Sequence, residues 1–240
     1  MYLLFAKENF CITGVIKINT KFKTIFLVLL TSISITGCVS QGAGLNSSEL
    51  TEPHELALEA YKAVLQNDTE FFSTDNNKSL LLNDSLVNKE IYEAIFEITH
   101  FTLLDMDNDN LPEVVLELSV NGYPQFYEVL HYMDGTVYGY LFVYRGLMEL
   151  KEDGTFIYSS GAADSGVAKL NFDSNTVKTD VLGYSQSSQG ETDLVISYLI
   201  DDEPVEKESF DSFMIKQSET KDAVWYEFFE ENIEAVLSAM

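Results

Sequence analysis

Three aspartates at alternate positions, Asp105, Asp107 and Asp109, followed by Leu111 and Glu113, have a spacing suited to one specific chemistry. Carboxylates at i, i+2 and i+4 can curl around a single cation. Calcium needs such a ring, because it takes six to eight oxygens at about 2.3–2.6 Å. With Asp105 as the first position, Asp107 and Asp109 are the third and fifth, the Leu111 carbonyl the seventh and Glu113 the ninth. Without a counter-ion the three charges repel one another. A plain solvated turn is the alternative reading. The flanking FTLL (101–104) and VVLELSV (114–120) read as strands, so a bound ion would have a structural role in a strand-loop-strand setting.

Over these nine residues the loop resembles the DxDxDG calcium loops of extracellular modules such as dockerins and the FG-GAP repeats of integrin α-chains. It departs at the sixth position, where Asn110 replaces glycine, and at the twelfth, where Leu116 replaces the bidentate acid of an EF-hand. Asparagine tolerates the left-handed conformation, so the turn survives. The resemblance implies a calcium ligand set of Asp105, Asp107, Asp109, Leu111 and Glu113.

A second chemical feature lies near the start. Lys17, Lys21 and Lys23 precede an apolar run, Ile25–Ile35, which ends in Ile35-Thr36-Gly37-Cys38. Eleven residues at about 1.5 Å rise are too short for about 30 Å of hydrocarbon, so the run reads as a cleavable signal. The tetrapeptide resembles the lipobox of bacterial lipoproteins. That resemblance implies cleavage before Cys38, diacylglycerol on its sulfur, and a lipid anchor on the outer face of the cell membrane. Residues 1–37 are then signal peptide, 38–50 a lipidated cysteine and flexible tether, and 51–240 a single domain.

The remaining chain offers little catalytic machinery. His54, His100 and His131 stand in no metal-binding or nucleophile-activating motif, and Ser165 has no assignable base. Apart from Cys38, the part after the signal has no cysteine, which removes disulfides and thiolate chemistry. The whole chain holds 14 basic and 39 acidic residues. Removing Lys7, Lys17, Lys21, Lys23 and Glu8 with the signal leaves 10 and 38, a net charge of −28. Such a surface repels phosphate backbones, so nucleic acid is not an expected partner, whereas cations and cationic proteins are. These features point to a membrane-tethered, non-enzymatic binding module for surface recognition, of an immunity or similar type. A cell-wall hydrolase using acidic residues and a transporter substrate-binding protein stay open as alternatives.

The elements that must position the loop follow from periodicity. Leu56, Ala57, Ala60, Tyr61, Val64 and Leu65 recur at helical spacing, predicting a helix at 52–66 behind a Thr51 cap. A loop at 73–85, a second helix at 87–97, a short helix near 206–214 and a terminal helix at about 222–238 complete the helical part. Between 100 and 200, strands separated by Asn-Gly and Asp-Gly turns predict an antiparallel meander. The fold class is therefore α+β, one curved sheet with helices packed on it. A two-residue Asp134-Gly135 turn pairs Met133 with Thr136 and places Tyr127, His131, Tyr138, Tyr140, Phe142 and Tyr144 on one face. Tyrosine-rich faces are common at recognition surfaces. Either this one grips a protein or glycan, or helices cover it.

Overall fold

The computed structural model describes residues 48–87, 95–173, 176–190 and 193–239, with backbone alone for 48–52. The signal segment, Cys38 and most of the helix expected at 87–97 lie outside the described residues. Leu45–Met240 forms one compact unit.

In chain order the elements are α1 (Ser48–Leu65), β1 (Phe71–Ser73), β2 (Lys78–Leu80), α2 (Leu82–Ser85), β3 (Glu97–Leu104), β4 (Glu113–Val120), β5 (Tyr123–Met133) and β6 (Thr136–Val143). A 3-10 turn at Tyr144–Gly146 then leads to β7 (Phe156–Ser159), β8 (Ser165–Asp173), β9 (Thr176–Gln189), β10 (Leu194–Ile200) and β11 (Glu203–Val205). The chain finishes with α3 (Lys207–Glu219), β12 (Tyr226–Glu227) and α4 (Glu230–Ser238). The class is α+β.

The strands do not form the single meander expected. Among the described residues they make two sheets, one of seven strands in the order β12-β3-β4-β5-β6-β1-β2 and one of five in the order β11-β10-β9-β8-β7. Each keeps a meander within it. The break falls at 144–155, where a further strand of the meander would lie at 149–151 but the described residues supply only isolated bridges, Met148 to Ile157 and Lys151 to Asp222. Leu147 and Leu150 are buried there between the sheets instead of extending a ladder.

Turn chemistry explains the hairpins. Asp134 and Gly135 both take positive φ (50° and 81°), and the register is the predicted one, Met133 to Thr136 and Tyr132 to Val137. Asn121 and Gly122 do the same between β4 and β5. These mirror-image turns match the twist of the strands they join.

Two layers cover the large sheet. On one face Phe101, Leu116, Leu130 and Val137 pack with Ala57, Tyr61 and Val64 of α1 and with Ile233 and Leu237 of α4. On the other, Val115, Tyr127 and Val129 pack with Phe156, Ala168 and Leu170 of the small sheet. Each of the leucines, valines, isoleucines and phenylalanines among them contributes about 1.5–3 kcal/mol by leaving water. Strand β4 is enclosed by both layers, which accounts for its nearly unbroken apolar run.

Four local expectations are corrected. The terminal helix begins only at Glu230, because Tyr226 and Phe228 both pack on Phe101 at the period of a strand. The loop at 73–85 contains the β1–β2 hairpin and the one-turn α2, both shorter than a periodicity window. At the described end of the segment 87–97, Glu97 starts strand β3 and is not helical. The short helix near 206 runs on to Glu219.

Candidate metal centre

The loop between β3 and β4 does curl. One carboxylate oxygen from each of Asp105, Asp107 and Asp109 lies within 4.8 Å of the others. Backbone amides hold the curl. Asn108 and Asn110 donate to the two oxygens of Asp105 at 2.7 and 3.1 Å, and Leu111 donates to Asp109 Oδ1 at 2.7 Å. Asn108 and Asn110 take positive φ (64° and 72°), so the asparagine standing in for glycine adopts the conformation the turn needs. Burial raises the pKa of Asp109, with Asp107 and Asp105 adding to the rise and the Leu111 amide opposing it.

The loop is also fastened to the small sheet. Met106 is fully buried in the inter-sheet core. A side chain on Gly154 would collide with the Met106 backbone. The Phe172 amide of β8 donates to Asp107 Oδ2 at 3.4 Å.

Glu113 is not in the carboxylate group. Its side chain turns inward and is fully buried, with Oε2 accepting the Met106 amide at 2.8 Å and Oε1 lying 2.9 Å from His131 Nδ1. The ninth position therefore braces the loop from behind, because β4 starts at Glu113 and its odd-numbered side chains face the small sheet. Burial lifts Glu113 to about 7, against the pull of its His131 and Met106 hydrogen bonds. The imidazole is clamped as well, stacked on Phe172 with centroids 4.3 Å apart and planes within 7°. Leu111 gives its amide to Asp109 and lines a cleft of about 460 Å³ that opens over His131.

The tyrosine-rich face is mostly interior. Tyr127, His131 and Tyr140 are buried, and Phe142 packs into the inter-sheet core. Tyr127 lies against Tyr144 and Trp225, and Phe172 lies against Tyr140. Of the six residues expected to grip a partner, Tyr144 alone is exposed and Tyr138 half-exposed. The cover is the second sheet, not helices, since α1 and α4 occupy the opposite face.

Sequence reading missed the Glu113–His131 pair. Strand β5 carries one extra residue relative to β4 between Leu118 and Ser119, which shifts the register. Counting outward from Asn121-Gly122 without that bulge sets Glu113 opposite Leu130. With it, Val114 faces Leu130 and the next position brings Glu113 to His131.

Comparison with protein-family models, with characterised proteins and with solved structures finds no significant match to this chain.

Proposed function

We propose that this chain is a lipid-anchored, extracytoplasmic binding module whose aspartate loop holds a structural calcium ion. The observation that carries the metal reading is the convergence of three carboxylates on a loop pinned to both sheets. A cation there would cancel the repulsion within the trio and tie β3 and β4 to β8. The address rests on the lipobox-like Ile35–Cys38 and its lysine-flanked apolar run. No helix among the described residues is long and apolar enough to cross a membrane. The excess of acidic residues favours a cationic extracellular protein as partner.

Thermal unfolding of the full chain in calcium and in chelator, beside Asp107→Ala, tests the loop. At calcium tenfold above Kd, linkage contributes about 1.4 kcal/mol, or about 3–6 °C for a unit of this size. The expected result is that shift in the native chain and none in the variant. Equal midpoints with and without calcium would make the loop a plain acidic turn. For the anchor, Cys38→Ala expressed in a bacterial host should lose incorporation of labelled palmitate and its membrane association. Retained labelling would sink the lipoprotein reading.

A further inference from the structure

The cleft over His131 is bounded by Leu56 of α1, Met133 and Asp134 at the β5–β6 turn, Asp109 of the aspartate loop and Phe172 of β8. Its volume of about 460 Å³ is within the range of small-ligand sites. No lysine or arginine lines it, and its charged groups are carboxylates. His131 lies at its floor, 4 % exposed, with Nδ1 held by Glu113 and the ring fixed against Phe172. Its other nitrogen, Nε2, has no hydrogen-bond partner among the described residues. That atom is not wholly enclosed, and His131 lines the cleft.

We propose that this cleft binds a small organic cation, a primary ammonium group carried on an apolar or aromatic body. Where Glu113 is ionised it accepts the Nδ1–H of a neutral ring, and Nε2 then presents a lone pair that is oriented before the ligand arrives. An ammonium group brings three N–H donors. Nε2 supplies one acceptor, the carboxylates of Asp109 and Asp134 supply acceptors and negative field, and Leu56, Met133 and Phe172 form the apolar wall. A bare metal ion fits this cleft less well. The aspartate trio is the one group of three potential ligands that converges among the described residues, and His131 is not part of it. The pre-set imidazole lowers the ordering cost of binding. This inference rests on the binding-module reading and gives it a ligand class.

The test uses 2-phenylethylamine as probe and 2-phenylethanol as its neutral counterpart. Binding to the full chain is followed by calorimetry and by the His131 ring proton signals in NMR, in calcium and in chelator. Leu56 is half exposed at the mouth, so Leu56→Trp blocks the cleft without touching the core. Asp134→Asn keeps an Asn-Gly turn and removes the charge. The amine should bind at least about tenfold more tightly than the alcohol, a preference of about 1.4 kcal/mol. It should shift the His131 signals, weaken several-fold with Asp134→Asn and fail with Leu56→Trp. Equal affinity for amine and alcohol, no saturable binding of the amine, or binding unchanged by Leu56→Trp would each overturn the proposal. A calcium-dependent midpoint that survives while the amine fails sinks the cleft alone. Amine binding without any calcium effect upholds the cleft and sinks the loop.

Discussion

Glu113→Ala is expected to lower the stability of the fold by about 3–5 kcal/mol, because it strands a buried imidazole and a buried amide together. The carboxylate is fully enclosed and serves both Met106 and His131. Chemical denaturation of the purified chain, at fixed calcium, reads the loss directly. Glu113→Gln separates this role from metal ligation. The amide oxygen can still accept from Met106, and the amide nitrogen can donate to His131 Nδ1 once the ring carries its proton on Nε2, so most stability in chelator should persist. The calcium shift should persist as well. A glutamine variant that folds normally in chelator but no longer responds to calcium would return Glu113 to the ion's shell and overturn the inward assignment.

The second large effect concerns Glu128, on the helix-covered face of β5. Its side chain is buried, Oε1 has no partner among the described residues, and a side chain on Gly139 would collide with it and with the Phe71 ring. Burial, with Asp75 adding to it, lifts its pKa from 4.5 to about 8. The folded chain therefore keeps a proton that the unfolded chain releases near pH 4.5. Stability should fall as pH rises between those two values and level off above about 8. The steepest contribution of one such group is about 1.4 kcal/mol per pH unit. Glu128→Gln carries no charge at any pH. It should match the native chain near pH 4 and exceed it by on the order of 5 kcal/mol at pH 9. Glu113 adds a similar slope up to about 7 in both proteins, so the difference between the two curves isolates Glu128. Parallel curves would show that Glu128 is ionised in the native state.

Both residues show where reading from sequence stops. Strand identity and the Asp134-Gly135 register are local properties, carried by alternation and by residues that tolerate positive φ, and they were legible. So was the curl of the aspartate loop, including Asn110 in the role of glycine. The Glu113–His131 contact was not, because one bulged residue in β5 moves the partner by one and turns every side chain beyond it to the other face. The second sheet escaped for a different reason. A meander looks the same in sequence whether it continues one ladder or breaks and folds back. Only the burial of Leu147 and Leu150 at the break distinguishes the two. The same break explains the tyrosine-rich face, which alternation placed correctly but whose cover came from strands 25 to 45 residues downstream. The short β12 was hidden because Val224, Trp225, Phe228 and Phe229 satisfy helical spacing as well as strand spacing.

The delivery of β12 also sets an order of assembly. Tyr226 pairs with Phe101 only after the whole five-stranded sheet has been made, and α4 follows it. A chain emerging from its N-terminus can form the β3–β6 hairpins early, from contacts close in sequence. Until the last segment arrives, the margin of β3 around His100 and Phe101 offers unpaired backbone groups and the ring of Phe101 to any neighbouring chain. Premature termination near residue 220 would thus remove few residues yet leave a sticky edge, making aggregation the characteristic failure of a shortened product.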